Sequence, residues 1–236
     1  MAGLNGKRDS EKLPSGEDKA RMVRSMFDAI APRYDFVNRA MTFGLDIRWR
    51  AQSIASLGLE QGALIFDVAC GTGDFCRMLR KSRFRAVGFD ISAGMLAAAR
   101  TTAPLVLADA LRLPVASGAA DGVTCGFALR NVTDLKDLFS EFARVVRPGG
   151  RIALLEVAEP EQRILRSLHG FYFRKMVPVI GGLLSDRQAY SYLPKSYAYL
   201  PPPHELVAML ESAGFGAVHR RVLGLGAAQL ITGTLR

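Results

Sequence analysis

One run of residues sets the architecture of this chain: Ile65-Phe66-Asp67-Val68-Ala69-Cys70-Gly71-Thr72-Gly73-Asp74-Phe75. It opens with mostly apolar residues, which predict a strand buried on both faces. At Gly71-Thr72-Gly73 the backbone can turn sharply and leave room for a ligand. Residues 74–80 then carry apolar side chains at helical spacing. Strand, glycine turn and helix in this order predict a doubly wound α/β sheet that binds a ligand at the turn.

The glycine pattern alone is a weak signal, because a short Gly-x-Gly also occurs in ordinary tight turns. It departs from the Gly-x-Gly-x-x-Gly pattern of dinucleotide sites, since Cys76 stands at the position of the third glycine. A nucleotide with a pyrophosphate needs backbone donors at the start of the helix, whereas a nucleoside without phosphate does not. The departure therefore favours a nucleoside as the ligand.

Acidic side chains stand at the ends of the next predicted strands. Asp90 ends the second strand, where a carboxylate can accept hydrogen bonds from both hydroxyls of a ribose, and Ile91 is suited to pack on a flat base. Asp109 and Ala110 follow the third strand, and the carboxylate can take the exocyclic amine of adenine. Because no phosphate cradle is present, these features indicate an adenosyl group without phosphate, and S-adenosylmethionine fits that description. The predicted cofactor-binding residues are Gly71, Thr72, Gly73, Asp90, Ile91, Asp109, Ala110 and Gly126.

The rest of the chain completes the α/β pattern. Between residues 63 and 155 predicted strands alternate with predicted helices, as a parallel sheet requires. Residues 134–146 predict a helix that Asp134 caps and Pro148-Gly149-Gly150 ends. Further strands are predicted at residues 151–156, 217–223 and 229–234. We therefore expect one domain over residues 19–236, built on a mostly parallel, seven-stranded, doubly wound sheet.

Three segments lie outside this alternation. Residues 1–18 are polar and predict a disordered tail. Residues 19–58 predict helices interrupted at Pro32, which form either a helical pair packed on the sheet or, as we prefer, a lid over the cofactor. Residues 160–203 mix apolar and basic side chains, which suits either a core helix or a substrate-covering insertion at a membrane surface. We interpret this segment as the insertion.

Composition narrows the class of protein and its partners. Hydrophobic residues make up 49% of the chain, which indicates a globular protein, and no apolar run approaches the roughly 18 residues that span a bilayer. The N-terminus lacks the apolar centre of a signal peptide, so we expect a cytoplasmic protein. The net charge of +9 suits either contact with an anionic membrane surface or a solvated basic surface, and the dispersed arginines argue against nucleic acid. The three cysteines and three histidines lack ligand spacing, so no metal site is predicted.

Short motifs carry a family resemblance. Residues 67–74, 88–91, 108–110 and 147–150 resemble class I S-adenosylmethionine-dependent methyltransferases. The more specific segments, at residues 26–38 and 129–134, resemble the C-methyltransferases of ubiquinone and menaquinone biosynthesis. The resemblance implies methyl transfer from S-adenosylmethionine to a ring carbon of a reduced, polyprenylated quinone. The alternatives are O- or N-methylation of another small molecule, and a methyltransferase-like protein that binds without turnover.

The resemblance also implies catalytic roles for Arg130, Asn131, Tyr34 and Asp35. Attack by a ring carbon needs electron density, which a hydroquinone supplies once a hydroxyl is deprotonated. We expect Arg130 to stabilise that oxyanion and Asn131 to position the ring, while the alternative for Arg130 is a structural ion pair. Because arginine stays protonated, the proton should leave through water, Tyr34 or Asp35. The expected partner is the polyprenylated quinol, and contact with the membrane surface and a homodimer stay open.

Overall fold

A computed structural model gives the fold of the chain and describes residues 15–160, 162–172, 179, 192 and 196–236. Helices cover both faces of one seven-stranded sheet. The strands are β1 (Leu64–Val68), β2 (Arg85–Asp90), β3 (Leu105–Leu107), β4 (Ala120–Gly126), β5 (Val146–Val157), β6 (Phe215–Leu223) and β7 (Ala228–Leu235). The α-helices are α1 (Gly16–Ile30), α2 (Tyr34–Thr42), α3 (Leu45–Ser56), α4 (Asp74–Lys81), α5 (Ala93–Ala97), α6 (Leu135–Val145), α7 (Arg163–Phe171) and α8 (Pro203–Ser212).

The order of the strands in the sheet is β3-β2-β1-β4-β5-β7-β6. Strands β1 to β5 are parallel, whereas β7 runs antiparallel to both β5 and β6. The chain first builds outward from β1 to β3 and then returns to place β4 on the other side of β1. This reversal makes the carboxyl ends of β1 and β4 a topological switch point, where α/β sheets bind ligands. The predicted doubly wound, mostly parallel seven-stranded sheet is confirmed.

The core lies on both faces of the sheet. Phe66 and Val68 of β1 pack with Phe142 of α6 on one face, while Ile65, just before Phe66, packs with Leu79 of α4 on the other. This alternation follows from the two-residue repeat of a strand, and both faces are apolar because helices cover both. A third, smaller cluster joins α1, α2 and α5.

The N-terminal helices start earlier than predicted. Helix α1 begins at Gly16, so residues 16–18 of the predicted disordered tail are helical, while residues 1–14 lie outside the described part of the chain. Glu17 and Asp18 occupy the first turn, where negative charge is favourable at the positive end of the helix dipole. The preference for acidic residues in the first turn of a helix therefore outweighs the polar composition from which disorder was predicted.

The breaks between the N-terminal helices are partly as predicted. A short 3₁₀ turn at Ala31–Arg33 contains Pro32, as expected. A second break separates α2 from α3, where the φ angles of Phe43 and Gly44 are 52° and 73°. The sequence pattern predicted one continuous amphipathic stretch here, but two consecutive left-handed residues cannot continue an α-helix. We refer to α1, α2 and α3 together as the helical cover.

Helix α6 ends, and β5 begins, earlier than predicted. The Asp134 carboxylate caps α6 as expected by accepting bonds from the amides of residues 136 and 137. The helix stops at Val145, however, and β5 starts at Val146, so Pro148-Gly149-Gly150 lies within the strand instead of ending the helix. The pairing register of β4 and β5 shifts between Ala120 and Gly122, beside this segment. The proline and glycines therefore mark an irregularity in a strand, where such residues are tolerated.

Half of the predicted insertion, residues 160–203, lies outside the described residues. Within it the structure describes α7 and the 3₁₀ turn Tyr197–Tyr199. The Tyr172 hydroxyl donates to the backbone carbonyl of Met41 at 2.8 Å, so the end of this segment contacts the helical cover. Across the described ranges, no helix has both the length and the apolar character that crossing a membrane requires.

Candidate functional site

A cavity opens at the switch point between the strand ends and the helical cover. Its walls come from the glycine turn after β1, from the ends of β2 and β4, from the residues after β3, and from α1 and α2. Predicted site residues that line it are Tyr34, Gly71, Asp90, Ile91, Asp109, Ala110, Gly126 and Asn131. Thr72, Gly73, Asp35 and Arg130 are not part of this lining. Residues Ala20, Val23 and Phe27 of α1 complete the wall, and the sequence did not single them out for this role.

The glycine turn requires its glycines. The φ angles of Gly71 and Gly73 are 55° and 80°, in the left-handed region that residues with a Cβ avoid. A Cβ on Gly73 would also lie 2.7 Å from Cγ2 of Thr101. The Gly71 amide donates to an Asp90 carboxylate oxygen at 2.7 Å, which ties the turn to the end of β2.

Asp90 is buried at the cavity wall. Its second carboxylate oxygen accepts from the Ser92 amide at 2.8 Å. Burial raises the pKa of Asp90, and these backbone bonds oppose that shift. Because each carboxylate oxygen can accept two hydrogen bonds, both retain capacity for the hydroxyls of a ribose. The geometry suits the predicted role, which stays a prediction.

Other parts of the cavity wall, after β3 and after β4, carry further polar groups. Asp109 is exposed, and one of its carboxylate oxygens accepts from the Leu111 amide at 2.9 Å. The Asn131 side chain is buried, and its Oδ1 atom has no hydrogen-bond partner within the described part of the chain. A buried acceptor without a donor is costly, so a ligand that donates a hydrogen bond there would be favoured.

Behind the glycine turn lies a buried carboxyl that the sequence analysis did not assign. Asp67 of β1 accepts bonds from the Thr124 hydroxyl at 2.9 Å and from the Cys76 thiol at 3.4 Å. Burial raises the pKa of Asp67 to about 7. Cys76, at the third glycine position, therefore supplies a donor to the carboxyl that supports the turn.

Arg130 is fixed by its neighbours. Its Nη1 forms an ion pair with the fully buried Glu156 of β5 and donates to the Phe127 carbonyl at 3.0 Å. Its Nε donates to the Ser196 hydroxyl at 3.2 Å. The ion pair that was the alternative for Arg130 is thus present. The sequence missed Glu156 as its partner, although an acidic residue at the end of an apolar strand was an available signal.

Tyr34 and Asp35 begin α2 and face different groups. Tyr34 lines the cavity and packs edge-on against Phe27, with ring centroids 5.9 Å apart. Burial raises the pKa of Tyr34, so its hydroxyl keeps its proton at neutral pH. The Asp35 carboxylate instead accepts a hydrogen bond from the Thr72 hydroxyl, which links the helical cover to the glycine turn.

Two further polar contacts hold α1 against the sheet. Lys19 is buried, its Nζ donates to the Val132 carbonyl at 2.7 Å, and it lies 3.9 Å from the ring centroid of Tyr199. Burial lowers the pKa of Lys19 to about 8. At the other end, the Asp28 carboxylate accepts from the Ser92 hydroxyl at 2.6 Å, and this bond lowers the pKa of Asp28. No sequence motif predicts these contacts, because the residues that form each one are far apart in the chain.

Comparison with known proteins gives a consistent set of relatives. The sequence profile described as the ubiE/COQ5 methyltransferase family matches residues 14–234. The chain is 42% identical over 232 residues to a demethylmenaquinone methyltransferase of Roseiflexus sp. (strain RS-1), covering 95% of this chain and 98% of that one. It is 37% identical over 230 residues to a ubiquinone/menaquinone biosynthesis C-methyltransferase of Geobacter sulfurreducens, covering 92% and 89%.

Solved structures agree on the fold. A phosphoethanolamine N-methyltransferase 2 of Haemonchus contortus, in complex with S-adenosyl-L-methionine, superimposes with a TM-score of 0.64. The match covers 90% of this chain and 60% of that one at 14% sequence identity. At this identity the likeness shows the fold alone.

Proposed function

The chain belongs to the ubiE/COQ5 methyltransferase family, and we infer that it transfers a methyl group from S-adenosylmethionine to a ring carbon of a reduced, polyprenylated quinone. The observation that carries this inference is the near full-length match to relatives that are named for this activity, at 42% and 37% identity. The chain is accordingly an S-adenosylmethionine-dependent methyltransferase of the demethylmenaquinone type. O- or N-methylation and binding without turnover are not favoured by these relatives.

The residues at the cavity fit S-adenosylmethionine. Asp90 and Asp109 offer carboxylate acceptors at neighbouring strand ends, which suits a ribose and an adenine amine. Ile91 offers an apolar surface for the base. Gly126 lines the cavity and packs too closely against its neighbours for a side chain, since a Cβ there would lie 2.6 Å from the Phe75 ring. We propose that these residues, with the glycine turn, hold the cofactor.

When bound, S-adenosylmethionine would supply an electrophilic methyl carbon to the ring carbon, with a neutral thioether as the leaving group. Arg130, fixed by Glu156, stabilises the oxyanion of the deprotonated hydroquinone. Asn131 Oδ1 accepts a hydrogen bond from the other ring hydroxyl and so orients the ring. Tyr34 keeps its proton and acts as a donor, so the quinol hydroxyl would lose its proton to water or to Asp35. After methyl transfer the ring carbon loses its proton and the ring oxygen regains one, which restores the hydroquinone. The apolar wall of α1 keeps water away from the reacting atoms.

The experiment that tests this function uses purified enzyme, S-adenosylmethionine labelled in its methyl group, and reduced quinones. Demethylmenaquinol and a benzoquinol of the ubiquinone pathway would be compared, and mass fragmentation would locate the labelled methyl group. We expect label on a ring carbon of at least one of the two substrates. Label on an oxygen, or no transfer to either ring, would refute the proposal.

We also propose that the enzyme works at a membrane surface in the cytoplasm, because its substrate is lipid-borne and its net charge is +9. Phe43, at the break between α2 and α3, is 78% exposed and packs against the Tyr172 ring. Phe171 beside it in sequence is 60% exposed. Exposed aromatic side chains where the helical cover meets the insertion suit contact with lipid. Whether the enzyme forms a homodimer stays open.

Sedimentation with anionic vesicles tests the membrane contact. We expect binding at low salt that weakens as salt rises, because attraction between exposed charges is screened. Phe43→Ser should weaken binding roughly tenfold, the scale of removing one large buried apolar side chain. Leu107→Ser, which replaces an exposed apolar residue on edge strand β3, is the matched control. If the wild-type enzyme does not sediment with vesicles at low salt, the membrane proposal fails.

A further inference from the structure

Arg50 of α3 is a buried cation in an aromatic setting. Only 7% of its surface is exposed. Its guanidinium carbon lies 5.0 Å from the ring centroid of Phe75 and 5.3 Å from that of Phe127. Aromatic rings stabilise a cation, but they do not replace the hydrogen bonds that water would supply. A buried guanidinium in this position calls for an acceptor.

The acceptors near Arg50 are already engaged. Its Nε is buried without a hydrogen-bond partner in the described part of the chain, at 3.9 Å from Asp46 and 3.8 Å from Asp74. Asp46 instead accepts from the Thr42 hydroxyl at 2.9 Å. Asp74 accepts from Arg39 at 3.1 Å and pairs with Arg77.

The same cluster has a surplus of positive charge. Among the described residues, Arg39, Arg50 and Arg77 form ion pairs with two carboxylates, Asp46 and Asp74, and the charge of Arg50 also acts on the buried Asp67. Of the three guanidinium groups, Arg50 is the most buried, and its Nε is buried without a hydrogen-bond partner among the described residues. The cluster can therefore accept one more anion, and Arg50 is the member with donors to offer it.

The position of Arg50 relates it to the cavity. A Cβ on Gly126 would lie 3.0 Å from Nη1 of Arg50, so the guanidinium lies directly beside Gly126, which lines the cavity, although Arg50 itself is not part of the lining. Gly126 ends β4, whereas Asp90 ends β2 and Asp109 follows β3. In the strand order β3-β2-β1-β4, a ligand with its base near β3 and its ribose near β2 reaches β4 with its opposite end.

We propose that Arg50 binds the α-carboxylate of the methionine half of S-adenosylmethionine. This inference rests on the proposed function, since it takes that cofactor as the ligand of the cavity. The ligand ends in a carboxylate, and a guanidinium pairs with a carboxylate through two parallel hydrogen bonds. The bound carboxylate would supply the missing acceptor and neutralise the surplus charge. Arg50 is then a cofactor-binding residue contributed by the helical cover.

Two ligands that differ by this one group provide the test. Titration calorimetry would measure the affinity of S-adenosylmethionine and of its decarboxylated form, for the wild-type enzyme and for Arg50→Gln. We expect Arg50→Gln to weaken S-adenosylmethionine by about 10- to 100-fold, the scale of a lost charge-assisted hydrogen bond. The same change should leave the decarboxylated ligand within about twofold. Arg77→Gln, which removes another arginine from the same cluster, should not distinguish the two ligands.

The outcomes separate this inference from the proposed function. Equal loss of affinity for both ligands in Arg50→Gln would make Arg50 a structural residue and overturn the inference. Unchanged binding of S-adenosylmethionine with reduced turnover would place Arg50 at the quinol instead, and would also overturn it. A wild-type enzyme that binds neither ligand would refute the cofactor assignment itself. If Arg50→Gln does not fold, Arg50→Lys should show the same selective loss to a smaller extent, because it keeps the charge without the planar fork.

Discussion

Arg130 and Arg50 are both buried arginines next to one cavity, yet their surroundings differ. Arg130 follows β4 and is held by Glu156, by Ser196 and by a backbone carbonyl, all within the described structure. Arg50 belongs to the helical cover, and its Nε lies 3.9 Å from Asp46 and 3.8 Å from Asp74 without a hydrogen bond to any described residue. Burying a charge is costly unless it is paired. The difference teaches that burial alone does not reveal a role: one guanidinium is fixed in place, and the other is available to an anion.

Of the changes that test this contrast, removing the ion-pair partner of Arg130 should have the largest effect, and the effect should be on stability. Glu156→Gln keeps the shape of the side chain but leaves the Arg130 charge uncompensated. We expect the free energy of unfolding to fall by about 3–5 kcal/mol, the usual cost of breaking a buried pair on one side. Urea denaturation would measure it. Glu159→Gln, at an exposed position just beyond β5, is the control and should change stability by less than about 0.5 kcal/mol. Similar small losses in both variants would remove the contrast between the two arginines.

Arg130→Lys asks whether the paired arginine also acts in the reaction. Lysine keeps the charge but loses the planar fork, so we expect turnover to fall about 100-fold, with little change in the affinity for S-adenosylmethionine. Rates per folded molecule and melting temperature would be measured on one preparation. If Arg130 is only an ion-pair partner, the melting temperature should fall while the rate stays nearly normal.

The control for Arg130→Lys is Arg144→Lys. Arg144 of α6 also pairs with a glutamate, through bonds of 2.7 Å from Nε and Nη2 to Glu141. The residue is not part of the cavity wall. It should therefore show the structural cost of losing the fork without any cost in rate. A normal rate in both variants would end the catalytic assignment of Arg130.

Lys19 extends the comparison to a third buried cation, whose partners are a carbonyl and an aromatic ring. Its pKa of about 8 lies below the value of about 10.4 for an unfolded lysine, so between these pH values the unfolded chain holds the extra proton. The free energy of unfolding should therefore rise with pH across this window, by at most about 1.4 kcal/mol per pH unit from this group. Urea denaturation at several pH values would measure the slope, which should be smaller in Lys19→Met. Lys136→Met, at an exposed position of α6, controls for the loss of one lysine charge, and an unchanged slope in Lys19→Met would show that burial of this amine is unimportant.

The parts of the fold that the sequence predicted are those fixed by local pattern. The apolar run that ends at Val68, the glycine turn and the acidic residue at the end of β2 are each visible within a few residues. The predictions that were wrong also concern short segments, in which two secondary structures compete. Val146 could continue a helix or begin a strand, and pairing with β4 decided for the strand. Gly16 was placed in a disordered tail because its neighbours are polar, although those neighbours favour a helix start.

The parts of the site that the sequence could not predict depend on distant partners. Glu156 lies 26 residues from Arg130, and Val132 lies 113 residues from Lys19, so no motif of fixed spacing links them. Arg50 was passed over because nothing in its neighbourhood distinguishes it from the other dispersed arginines. Only the fold shows that Arg50 has a buried Nε without a hydrogen bond to any described residue. The acidic residues at strand ends could be assigned to a cofactor site because the carboxyl ends of parallel strands meet at one edge of the sheet. No comparable rule predicts where side chains of the helical cover lie.

The antiparallel strand β7 has a consequence for synthesis of the chain. It pairs with β5 along its length, from Arg151 opposite Thr234 to Val157 opposite Ala228, and it separates β5 from β6. On the ribosome β5 emerges long before β7, because residues 158–227 lie between them. In that interval β5 is an open, apolar edge that can pair with other nascent chains. Completion of the central sheet therefore waits for the last strand, so that early release of the chain would yield an aggregation-prone fragment and not a smaller enzyme.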